Sequence, residues 1–338
     1  MMAAAQGMDD VRRPAGGGIM SNDSTPHASP SNGDADQAGS SFLPMKPPLT
    51  FECQVKRLVD RGLDLGSYGE AGARAVLSDI NYYRLRGYWM TLERDNRFRE
   101  GTTLQDVLDI VSFDEGYRDL VWRMIEPFEI KVRTSFAYHL SHAYGPAALD
   151  DATVFRDQWF YRHSKEEIDR AVERSKHDQV PCTVHNLEKY GAMPVWALVE
   201  ILSLGTVSKL YGNLSDRKVA KAISADFGQK PLYLKSWLEH LTYIRNICAH
   251  HNRLYGRIMT KKPTLHDDVA ERIDCEREYP TLVVLASLYR GRWAGEWNAH
   301  LGELDLLACE YPHVDLSAMG MPTDWRETLA SINSRRSW

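Results

Sequence analysis

The sequence predicts an all-α protein. Three observations predict it. Apolar side chains recur at spacings of three and four along most of the chain, and small polar residues precede those runs where a helix needs an N-cap. No stretch alternates apolar and polar residues as a half-buried strand does.

Composition bounds the rest. Of 338 residues, 43% are apolar and 10% aromatic, enough for a substantial core, which excludes a chain disordered throughout. The net charge of -5 excludes a globally basic nucleic-acid coat but leaves room for a local basic groove. Five widely spaced cysteines with no CxxC pair fit neither a disulfide framework nor a zinc ribbon, so a reducing, cytoplasmic compartment is expected. No apolar run approaches the ~18 residues of a membrane helix, and the N-terminus lacks the apolar core of a signal peptide, so no membrane partner is expected.

Residues 1–45 are rich in Gly, Ser, Ala, Asp and Pro and poor in large apolar side chains, which predicts a disordered tail. Met8, Met20 and Met45 all precede the expected ordered chain, so the tail is expected to include upstream start codons. A small helical module is expected over 46–102. Thr50 is the candidate N-cap of a helix carrying Phe51, Val55, Leu58 and Val59, and Arg61-Gly62-Leu63 ends it. A second helix covers roughly 70–80, and the aromatic, basic stretch Asn81–Trp89 follows. That stretch either closes the module's core or stacks on bases.

The larger domain is expected over 103–338. Leu104, Val107, Leu108 and Val111 form one stripe; Val121, Met124, Ile125, Phe128, Val132 and Phe136 form another. Pro127 should kink or divide the latter helix, and Gly145-Pro146 should stop it. After an irregular 146–163, helices are predicted near 164–177, 195–211, 215–226, 231–254, 266–275, 280–290 and 295–309.

The predicted helix over 231–254 carries the candidate chemistry. At about 100° per residue, Trp237, Leu241, Ile244, Cys248, His251 and Tyr255 fall on one stripe, which predicts a core-facing His251. Glu239, Tyr243, Asn246, His250 and Arg253 fall opposite, with Arg245 on the flank. An imidazole exchanges protons near neutral pH, and a guanidinium holds a phosphate and stabilises its developing charge. Arg, Asn and His on one accessible surface therefore suit metal-independent cleavage of RNA by its own 2′-hydroxyl. From spacing alone, a merely solvated polar face fits as well.

Context narrows this. Arg245-Asn246-Ile247-Cys248-Ala249-His250-His251-Asn252-Arg253-Leu254 resembles the signature of the abortive-infection (Abi) phage-resistance proteins of AbiD/AbiF type, and fits the Arg-x4-His pattern of the HEPN ribonuclease superfamily. Further blocks resemble the family in order: Gln54 to Gly62-Leu63, Ile80–Leu85, Gly87-Tyr88, Phe113-Asp114, Ile125-Glu126 with Glu129 and Arg133, and Tyr144-Gly145. Pro194-Val195-Trp196, Glu200, Leu204-Gly205 and Ser236-Trp237-Leu238 follow, so the resemblance covers roughly residues 48–265.

The resemblance implies a HEPN-like helical bundle that cleaves RNA without a metal or cofactor, often as a homodimer pairing two motifs. Carried over by position, Arg245 and His250 are catalytic, and Asn246 matches the polar residue that follows the arginine. Arg253, Tyr243, Glu129 and Arg133 are supporting or phosphate-binding candidates. Glu129 and Arg133 are spaced for an ion pair, which either orients Arg245 or only ties helices together. The implied biology is a growth-arresting toxin of phage defence, with an antitoxin RNA or protein as a possible partner. The alternative is a non-catalytic HEPN module that binds RNA or protein as a sensor. A DNA-binding regulator built on 48–102 is disfavoured by that segment's small net basicity.

Other pairs carry less. His139 follows Arg133 at a tolerated spacing but points with Phe128, Val132 and Phe136, which predicts core. Cys182 and His185 lack the further ligands a zinc site needs. Cys248 is expected to be buried and inert.

Overall fold

The structure, a computed structural model, describes residues 46–334. The expected disordered tail over 1–45 lies outside the described residues, as do the last four residues of the final expected domain.

Thr50 starts the first helix, α1 (Phe51–Asp60), by accepting from the Cys53 N–H at 3.3 Å, and Val55 and Leu58 turn inward. Helix α2 (Gly69–Asp79) and α3 (Tyr82–Trp89) follow, the latter capped by Asn81, with Leu85, Tyr88 and Trp89 buried. The sequence showed no strand pattern, yet two-residue strands β1 (Glu93–Arg94) and β2 (Arg97–Phe98) pair antiparallel. Asp95 and Asn96 turn the chain between them at φ 50° and 63°, as a two-residue hairpin requires. Strands this short cannot show a two-residue period.

A capping box between Thr103 and Asp106 opens α4 (Leu104–Tyr144), 41 residues and roughly 60 Å long. Pro127 was expected to kink or divide it; it does not divide it, since one helix runs through the proline. Met124, Ile125, Phe128 and Val132 around the proline are all buried, and the Tyr289 hydroxyl donates to the Met124 carbonyl at 2.8 Å. The carbonyl that Pro127 leaves without a helical donor is that of Arg123, an exposed residue, so the packing of the buried side chains carries the helix across the proline. Gly145 ends α4 as expected.

Helix α5 (Gln158–His177) begins earlier than expected because Asp157 caps the N–H groups of Trp159 and Phe160. The sequence reading omitted α6 (Pro181–Tyr190). The helix expected over 195–211 is two, α7 (Val195–Ile201) and α8 (Leu204–Gly212). Leu202 is extended and Ser203 caps α8, accepting from the Thr206 N–H at 3.0 Å. Helices α9 (Arg217–Ala225) and α10 (Pro231–Ala249) follow. Only α11 (Asp267–Ala270) forms within the helix expected over 266–275. The chain continues through α12 (Tyr279–Tyr289), α13 (Ala294–Glu310) and an unanticipated α14 (Trp325–Ser334).

The fold is all-α, and α4 is its spine. Helices α3, α7, α8, α9, α10, α12 and α13 all pack against it. Helix α10 sits between α4 and α8 and also touches α9 and α12, which fixes the candidate helix on several sides. Among the described residues, no helix is long and apolar enough to cross a membrane.

Candidate functional site

Helix α10 buries Trp237, Leu241, Ile244 and Cys248, the stripe its periodicity predicted. His240 lies in the same interior between the Lys261 carbonyl at 2.7 Å and Thr281 Oγ1 at 3.0 Å; burial pushes its pKa down to about 4, so it stays neutral. The helix stops at Ala249, five residues short of the expected end at 254. His250 is its C-cap. The His251 N–H then donates to the Cys248 carbonyl at 3.0 Å and the Asn252 N–H to the Ile247 carbonyl at 2.9 Å. This pair of bonds is a Schellman motif, whose residue past the cap is left-handed and usually glycine. Here that residue is His251, at φ 53°.

Two expectations are corrected by that turn. His251 is exposed and not part of the core, because the chain has left the helical register before reaching it. Arg253 does not share a helical face with Asn246 and His250. Its half-buried guanidinium braces the turn by donating to the Tyr255 carbonyl, and burial lowers its pKa. It also lies against Gly87 of α3, where a Cβ would come within 2.9 Å of the Arg253 Nε. That close approach is why a glycine stands inside α3.

The turn is anchored from below. Asp114 of α4 is fully buried; one carboxylate oxygen accepts the N–H groups of Leu254 at 3.0 Å and Tyr255 at 2.7 Å. The other accepts from the Tyr88 hydroxyl at 2.9 Å and pairs with Arg118. Burial first, then the Asp114 charge, lifts the Tyr88 pKa to about 12, so the phenol stays a donor. The sequence blocks around Gly87-Tyr88, Phe113-Asp114 and Arg253-Leu254 therefore meet in one knot beneath the His250 turn.

Arg245 projects from α10 toward α4. Its guanidinium lies 4.9 Å from the centre of the Trp122 ring, and its Nε is 3.5 Å from the Glu129 carboxylate. Glu129 also pairs with Arg133, which donates to the carbonyls of Val199 and, at 2.6 Å, Leu202 at the end of α7. Glu129 thus both ties helices together and orients Arg245. Around them opens a cavity of about 260 Å³, whose wall adds Glu126 and Glu200 to these side chains.

Asn246 and His250 are exposed, and neither side chain has a hydrogen-bonding partner among the described residues. Tyr243 is half-buried, and its hydroxyl accepts from Arg257 Nε at 3.1 Å. Burial raises its pKa, but hydrogen bonds with Thr260 and Arg257 outweigh that and hold it below the ordinary tyrosine value. Cys248 is buried, and burial lifts its thiol to about 12 with help from the Glu278 charge. His139 is only partly buried and pairs with Asp226 at 3.0 Å, so it is no plain core residue.

Trp122 was not singled out in the sequence, because a lone tryptophan beside an apolar stripe carries no motif. Asp114 was noted without a role, since its backbone partners lie about 140 positions away.

These elements define an all-α protein with an accessible His–Asn helix end beside a carboxylate-held arginine. A family model described as Abi-like protein matches residues 75–256, more than half the chain and nearly the whole stretch from α2 through the turn after α10. The chain belongs to the Abi-like family, which points to abortive-infection phage defence. No curated protein and no solved structure matches it.

Proposed function

We propose that this Abi-like protein is a metal-independent HEPN endoribonuclease that arrests growth during phage infection, with RNA cut at the end of α10. The observation that carries this reading is the pair of exposed, unpartnered side chains, Asn246 and His250, at a rigidly anchored helix end that also presents Arg245. In the reaction a base removes the proton from an RNA 2′-hydroxyl, whose oxygen attacks the adjacent phosphorus. The 5′-oxygen leaves and takes up a proton, giving a 2′,3′-cyclic phosphate. His250 exchanges protons, Arg245 stabilises the phosphorane charge, and Asn246 orients the phosphate. Base and acid are two roles, and a homodimer that brings two such turns together supplies both. The protein would work in the cytoplasm, held silent by an antitoxin RNA or protein.

A second reading has its own support. Glu129 already holds Arg245, and Glu126 and Glu200 add negative charge to the same wall, which disfavours a phosphate there. The protein would then bind RNA or a partner as a non-catalytic sensor.

One experiment separates the two. Purified wild type and His250→Ala are incubated with total RNA in EDTA. Cleavage by wild type alone, leaving cyclic or 3′-phosphate ends, supports the nuclease. RNA binding without cleavage by a folded wild type supports the sensor.

A further inference from the structure

A second cavity, of about 820 Å³, opens where the end of α9, the turn between α12 and α13, and the end of α14 converge on Lys131 of α4. Its size is that of a small-molecule site and far exceeds a single phosphate.

Its charges are one-sided. Lys131, Arg290 and Arg292 line it, against one carboxylate, Asp226. That carboxylate is engaged: it accepts from Ser135 Oγ at 2.7 Å and pairs with His139 at 3.0 Å. Lys131 donates to the Asp226 backbone carbonyl and lies 4.8 Å from the Phe227 ring centre and 5.4 Å from that of Trp293. Neither Arg290 nor Arg292 forms an ion pair or side-chain hydrogen bond among the described residues. Burial lowers the Lys131 pKa, with the Arg292 charge adding to it, and burial alone lowers that of Arg290. Partly desolvated like charges are unfavourable unless an anion joins them. Phe227 and Leu288 supply apolar wall beside the cations, and Gly228 and Gly291 leave the rim free of side chains.

We propose that this cavity binds a nucleoside di- or triphosphate, its phosphates on Lys131, Arg290 and Arg292 and its base and sugar against the apolar wall. The cations come from separate elements, α4 and the α12–α13 turn, and the cavity's volume leaves room for a chain of phosphates among them with a base and sugar beside it. This site is separate from the His250 turn and does not depend on its chemistry.

The test is calorimetric titration of the full chain with ADP and with inorganic pyrophosphate, for wild type, Arg292→Gln and the double variant Arg290→Gln/Arg292→Gln. Arg292 is exposed, so its variant keeps the fold, and unliganded melting checks this for both. Wild type should bind both probes, ADP more tightly. Arg292→Gln should weaken ADP about tenfold, and the double variant further. The proposal is overturned if wild type binds neither probe at millimolar concentration, or if the double variant binds ADP as wild type does. It is equally overturned if a short single-stranded RNA binds through these arginines while both small probes fail.

Discussion

Two carboxylates on α4 each pair with an arginine one turn later, and they do opposite things. Asp114 is fully buried and saturated: two backbone N–H groups, a phenol and Arg118 use both its oxygens. Glu129 sits at the edge of a cavity, 16% exposed, shared between Arg133 and the one-third exposed Arg245. The first arrangement fixes backbone, because a buried charge with every lone pair occupied tolerates no loss. The second holds a side chain that stays one-third open to solvent. The helix thus anchors the His250 turn at one point and holds Arg245 beside a cavity at another.

Removing each acid tests that division and carries the largest expected effect. Asp114→Ala strands Arg118 and two buried N–H groups, and should cost about 3–5 kcal/mol in denaturant unfolding. Glu129→Ala leaves Arg133 on its carbonyls and Arg245 on Trp122, and should cost less, about 1–2 kcal/mol. Equal losses would break the contrast. Under the nuclease reading, Glu129→Ala should also tighten RNA binding, since Arg245 loses its competing carboxylate.

The buried side of this contrast titrates. Glu278 is fully buried, accepts from the Tyr117 hydroxyl and lies near Cys248 and Asp114. Burial raises its pKa from 4.5 to about 8. The native state therefore keeps a proton that the unfolded chain releases, so this contribution is complete below 4.5 and is lost as pH rises through about 8. His240 acts oppositely: its pKa falls from 6.5 to about 4, so its contribution is present above 6.5 and is lost as pH falls toward 4. Of these two groups, only Glu278 tilts the curve between pH 6.5 and 8, and its share of the stability should fall by up to about 1 kcal/mol per pH unit. Glu278→Gln should flatten that window in a pH series of unfolding curves. An unchanged slope would mean that Glu278 is ionised in the folded protein.

The same contrast explains what was legible in the sequence. Local rules found the helical class, the Thr50 start and the α10 stripe, because caps and periodicity depend on neighbours only a few positions away. The split between α7 and α8 was readable too, since Ser203 is a capping residue inside the expected run. Long-range features were not. Nothing near Asp114 says that its oxygens await the N–H groups of Leu254 and Tyr255, and nothing near Gly87 announces Arg253. The end of α10 was hidden for a different reason: no glycine or proline marks it, and a histidine stands where glycine usually turns the chain.

That histidine gives the smallest and sharpest test. A left-handed conformation costs an L-residue about 1 kcal/mol relative to glycine, and strain that persists commonly marks a functional site. His251 makes no side-chain hydrogen bond among the described residues that would offset this. His251→Gly should therefore stabilise the folded protein, by at most about 1 kcal/mol because glycine also loosens the unfolded chain. If the turn is a scaffold for His250 alone, RNA cleavage or binding should be unchanged in this more stable variant. If the second imidazole is itself used, for instance as a proton donor beside His250, function should fall while stability rises. A loss of stability would instead show that the His251 ring makes contacts the left-handed backbone serves, and would move the anchor of the turn from Asp114 to the surface.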